Sequence, residues 1–118
     1  MLNKLAVLVS LLFAVSFAIA QSNGTIKGKM LDKGNGEPLP FANVVLLRGG
    51  SQVTGTMTDF DGKFTFTALA PGKYEIQATY VGYQAIKVND VVVNSGKITF
   101  VPDIKAASGS ENLDEFVV

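Results

Sequence analysis

The sequence predicts an all-β chain: a seven-stranded antiparallel sandwich, preceded by a helical export segment and followed by a flexible tail. Three observations predict it. After residue 20, apolar and polar residues alternate with a period of two in short runs. Gly, Pro, Asn and Asp punctuate those runs at close intervals. No stretch beyond residue 20 carries the apolar spacing of an amphipathic helix.

The first element is the export segment. Lys4 supplies one positive charge, Leu5 to Phe17 is almost unbroken apolar sequence, and Ala18-Ile19-Ala20 is a small-x-small site before Gln21. This pattern predicts a signal peptide over residues 1–20, cleaved between Ala20 and Gln21. Its apolar run is shorter than the roughly 20 residues a spanning helix needs, so no membrane-spanning segment is expected after cleavage.

"GTIKGKML" is the first strand, with Ile26, Gly28 and Met30 on one face, and "DKGNGEPLP" after it is loop sequence. "FANVVLL" is apolar and β-branched and is closed by "RGGSQ". "VTGTMT" is thinner, and Gly55 within it marks a bulge or an edge. "MTDFDGKFTF" reads as a hairpin turning at Asp59–Gly62, because Gly adopts positive φ without steric cost. "KYEIQATY" alternates cleanly, with Tyr74, Ile76, Ala78 and Tyr80 inward. "QAIKV", "NDVVV" and "ITFVPDI" complete the set, Pro102 confining the last to an edge or an end. The expected core is Phe41, Phe64, Phe66, Leu69, Tyr74, Ile76 and Ile86. Tyr83, after Gly82, is placed to cap a strand corner with its hydroxyl.

Composition excludes much chemistry. There is no His and no Cys. Common zinc sites and His-activated Ser or Cys nucleophiles therefore cannot be built. No catalytic, metal or cofactor-binding residue is assigned, and no enzyme activity is expected. Cleavage removes Lys4 and leaves nine basic against ten acidic residues, with no electrostatic footprint for nucleic acid. Asp59-Phe60-Asp61-Gly62 resembles part of a calcium loop. With Gly62 at the sixth position, however, the first and twelfth fall on Met57 and Ala68, which cannot ligate. Turn chemistry accounts for it.

The sandwich is expected over residues 21–104 and a linker with a terminal segment over 105–118. "KAASGSEN" has linker composition. It leads to "LDEFVV", in which Leu113, Phe116, Val117 and Val118 have the apolar, strand-forming character of a peptide that adds to a partner's sheet edge. A disordered tail is the alternative.

In that order, "GTIKGKMLDKGNGEPLPFANVVLL", "GTMTDFDGKFTF", "LAPGKYEIQATYVGY" and "LDEFVV" resemble the carboxypeptidase regulatory-like domain. The version they are most similar to stands at the N-terminus of SusC-type TonB-dependent outer-membrane receptors. The resemblance covers nearly all of Gly24 to Val118. It implies a transthyretin-like (immunoglobulin-like) seven-stranded sandwich that accompanies carboxypeptidases without being their catalytic unit. It also implies a periplasmic accessory domain ahead of a plug and an outer-membrane barrel that imports a solute. "LDEFVV" would then be the Ton box, handed as a strand to the energy-transducing protein TonB. Leu113, Asp114, Glu115, Val117 and Val118 match that pattern as they stand, and Phe116 replaces the usual Val. A plugged barrel needs about 22 strands of about 9–11 residues each, and the sequence carries none of them, so a fragment of a receptor is expected. The alternative is a stand-alone exported β-sandwich binding protein or carbohydrate through the loops Asp32–Pro40 and Gly49–Gln52.

Overall fold

The computed structural model describes residues 3–7, 9, 22–109 and 114–117. Residues 3–7 are helical, and no helix among the described residues is long and apolar enough to cross a membrane. Ala20, Gln21, Leu113 and Val118 lie outside the described residues.

Apart from residues 3–7 and 9, the regular structure of the described residues is β. The strands are β1 (Gly24–Asp32), β2 (Asn43–Arg48), β3 (Ser51–Met57), β4 (Lys63–Leu69), β5 (Gly72–Thr79), β6 (Ile86–Val93), β7 (Ile98–Phe100), β8 (Ile104–Ala106) and β9 (Asp114–Val117). One sheet runs β4-β1-β7, with β8 also on β1. The other runs β3-β2-β5-β6-β9. Most pairs are antiparallel, but β1–β7, β1–β8 and β6–β9 are parallel. The strand count exceeds seven for two reasons. "ITFVPDI" is divided around Pro102, which has no N–H to give a ladder, into β7 and β8, and the terminal segment supplies β9.

The period of two becomes the core. Ile26 and Met30 of β1, Phe64 and Phe66 of β4, and Ile104 of β8 face Val44 and Leu46 of β2, Tyr74 and Ile76 of β5, and Ile86 and Val88 of β6, all buried. Six of the seven expected core residues are among the buried ones. Phe41 is the correction, because it is 52% exposed. It adopts a φ of 59°, and the chain turns there so that Ala42 is the buried residue. Thr58 fixes this arrangement from within. Its buried hydroxyl donates to the Leu39 carbonyl (2.6 Å) and accepts from the Ala42 N–H (2.8 Å).

The Asp59–Gly62 turn forms as its chemistry demands, but it does not make a hairpin. Asp59 Oδ1 accepts from the N–H groups of Asp61 and Lys63, both at 2.9 Å, and Gly62 sits at φ 74°. A Cβ there would come within 2.5 Å of the Met30 carbonyl oxygen. The strands on either side belong to opposite sheets, β3 on β2 and β4 on β1, so the turn is a corner between layers. The tight hairpin is instead β2–β3, where Gly49 and Gly50 (φ 58° and 81°) join Arg48 to its register partner Ser51. Two central residues at positive φ are what a two-residue loop between right-twisting strands requires. β3 is an edge strand, in line with the thin sequence around Gly55.

Candidate functional site

The candidate segment occupies one edge of the five-stranded sheet. β6 is rich in β-branched residues, suited to a pleated and largely covered strand. Its far edge receives β9 in parallel, with Asp114 beside Ile86, Glu115 beside Lys87, Phe116 beside Val88 and Val117 beside Asn89. Immediately beyond Asn89, Asp90 takes a φ of 58°, in the stretch where the β5–β6 register shifts. Asn89, paired with Val117, is the last residue of β6 in register with the described part of β9. Of the six residues read as a partner strand, the structure therefore brings Asp114, Glu115, Phe116 and Val117 together in one strand.

The path to that strand is fixed almost to its start. "KAASGSEN" has the Ala, Ser and Gly content of a leash, yet its first residues are bound. Lys105 and Ala106 belong to β8. The Ala107 carbonyl then accepts from the Gln84 N–H (2.9 Å), the Gly109 N–H donates to the Gly82 carbonyl (2.8 Å), and Ser108 bridges Tyr83. Small side chains permit this close backbone approach to the β5–β6 loop. Only residues 110–113 separate the bound stretch from β9.

Tyr83 anchors the same loop. Its hydroxyl donates to Asp32 Oδ2 at 2.5 Å, while Oδ1 of Asp32 accepts from the N–H groups of Gly34 (2.7 Å) and Asn35 (3.1 Å). The Tyr83 hydroxyl, then the Asn35 and Gly34 amides, hold the Asp32 carboxyl below its ordinary value of 3.8. The bond to Asp32 pushes the Tyr83 phenol above its ordinary value of 10.0. The corner-capping role expected of Tyr83 is realised.

The two loops considered for recognition lie at opposite ends of the sandwich. The Asp32 loop meets Tyr83, just past the end of β5. The Gly49–Gln52 turn follows Arg48, whose guanidinium reaches the Pro71 carbonyl before β5 begins. They cannot form one surface. The pattern-based reading missed an exposed aromatic pair, Phe41 and Phe60, with rings edge to face at 5.0 Å and Phe60 78% exposed. A shallow depression beside it is lined by Phe41, Asn43, Thr79, Tyr80 and Val81. Counting Phe41 as core hid this feature, because alternation gives no sign of a positive φ.

Among the described residues no three His, Cys, Asp or Glu side chains are placed to hold a metal ion.

Comparison with known proteins gives this architecture a context. Over 122 aligned residues the chain is 36% identical to TonB-dependent receptor P39 of Formosa agariphila, a match covering 98% of the chain and 10% of the receptor. The chain thus spans about a tenth of that relative's length. Among solved structures, 5-hydroxyisourate hydrolase of Klebsiella pneumoniae matches 72% of the chain and 91% of its own length, at 25% identity and a TM-score of 0.55. The TIE protein of Bacillus anthracis matches 74% of the chain and 17% of its own, at 19% identity and a TM-score of 0.59, a likeness of fold alone. The carboxypeptidase regulatory-like domain model matches residues 25–106, the stretch from β1 through β8. The chain belongs to the carboxypeptidase regulatory-like domain family.

Proposed function

We propose that this chain is the non-catalytic periplasmic front domain of a TonB-dependent outer-membrane receptor for solute import. In this reading Leu113–Val118 is the strand by which a TonB-type protein engages the receptor. The observation that carries it is the 36% identity to a TonB-dependent receptor along almost the whole chain. The extended backbone of Asp114–Val117 supports the assignment of the segment, since strand addition relies on main-chain hydrogen bonds. The lack of His and Cys supports a non-catalytic role.

Deletion of Leu113–Val118 from the full-length receptor is expected to abolish uptake while leaving barrel insertion intact. Normal uptake by the deletion strain would refute the reading. The exposed Phe41–Phe60 pair favours a second reading, a sandwich that binds protein or carbohydrate. That reading expects Phe41→Ala/Phe60→Ala to abolish protein or carbohydrate binding by the exported domain alone, whereas the first expects a receptor carrying the same two substitutions to keep its uptake.

A further inference from the structure

β9 is the last strand of its sheet. One side pairs with β6, and among the described residues no strand pairs with the other. Along a strand, successive residues point their N–H and C=O groups to opposite sides, so half of the backbone groups of Asp114–Val117 face β6 and half face outward. Such an edge is a template for another chain. A free peptide must be ordered into a strand when a partner takes it, whereas this segment already has the conformation a partner needs. The bound stretch Ala107–Gly109 delivers the chain to the β5–β6 loop, just ahead of Ile86, and only residues 110–113 intervene before β9. So short a tether gives the segment a high effective concentration at the β6 edge. The register also sets Glu115 beside Lys87, opposite charges in neighbouring positions.

We propose that the partner's strand adds to the outer edge of β9 while β9 remains on β6, so that the sandwich and the partner share one continuous sheet. This rests on the reading of Leu113–Val118 as the TonB-binding strand. It makes the sandwich part of the coupling surface: β6 is the backing strand that holds the segment extended and aligned.

The chain has no cysteine, so a Lys87→Cys/Glu115→Cys variant of the full chain carries a single thiol pair at one register position. Mild oxidation is expected to cross-link it within one molecule. Binding to the purified periplasmic domain of a TonB-type protein from the same organism is then compared between the oxidised and reduced forms. The proposal expects the oxidised form to bind within about threefold of the reduced form or more tightly, by up to roughly tenfold where ordering limits affinity. Oxidised binding weakened beyond about threefold would overturn it, because the segment would then have to leave β6 to be recognised. Failure to cross-link both in this variant and in Asn89→Cys/Val117→Cys would overturn the docking itself. Cross-linking without any partner binding, even by the unmodified chain, would instead refute the reading of the segment and remove the inference with it.

Discussion

The five-stranded sheet ends differently on its two sides. β3 pairs with β2 at six register positions and is joined to it by the two residues Gly49 and Gly50. β9 pairs with β6 at four positions, in parallel, and comes from the far side of the sandwich by way of β8 and the β5–β6 loop. One edge strand is closed by its own turn. The other is delivered by an anchored path, and its pairing depends on backbone groups that many sequences could supply. Strand propensity alone therefore does not decide which edge of a sheet is available to a partner. What decides it is how the strand arrives there.

Breaking the local edge should have the larger effect. Gly50 lies at φ 81°, and a Cβ placed on it would meet nothing within 4 Å, so Gly50→Val adds backbone strain without a clash. The expected loss is about 1–2 kcal/mol, read by urea unfolding, and amide exchange should rise in β3 before any other strand. Breaking the delivered edge should cost less. Val117→Pro removes an N–H from β9 and is expected to lower global stability by under about 1 kcal/mol, while exchange rises at Ile86–Asn89. A fully cooperative loss of the fold in this variant would show that β9 is as integral to the sheet as β3.

The smallest effect should come from Tyr83→Phe, which leaves the path to β9 bonded through its backbone. Asp32, held below 3.8, contributes stability that is present above that pH and is lost as pH falls through the folded value. Tyr83, held above 10.0, contributes stability that is present below that pH and is lost as pH rises through the folded value. Thermal unfolding across pH should show both slopes. Tyr83→Phe should remove this residue's alkaline slope and weaken the acid one, which the Gly34 and Asn35 amides still sustain. An unchanged profile would show that the bond carries no linkage.

Most of the sandwich could be read from the sequence, because burial imposes a period of two wherever a strand has one face inside. Tyr74, Ile76 and Ala78 follow it without exception. Pairing was less readable. The Asp-Gly turn at Asp59–Gly62 has the same chemistry whether it joins neighbours in one sheet or turns a corner between two, and only the partners of β3 and β4 distinguish these cases. Phe41 misled for a related reason, since an apolar residue next to a strand looks like core until the backbone turns it outward. "LDEFVV" announced strand character, but nothing in those residues specified the β6 edge. That edge is set by the contacts of Ala107–Gly109, whose small side chains read as a leash.

One further consequence concerns the order in which the molecule can be assembled. β1 lies inside its sheet, between β4 on one side and β7 and β8 on the other, and Thr25 is in register with Ile98 while Met30 is in register with Ile104. The strand that leads the sandwich thus waits for the strands that end it. As the chain emerges from its N-terminus, β2, β3, β5 and β6 can find partners among near neighbours, but β1 cannot be enclosed on both sides until residues 98–106 are available. The first strand to be made is enclosed only after seven others have followed it.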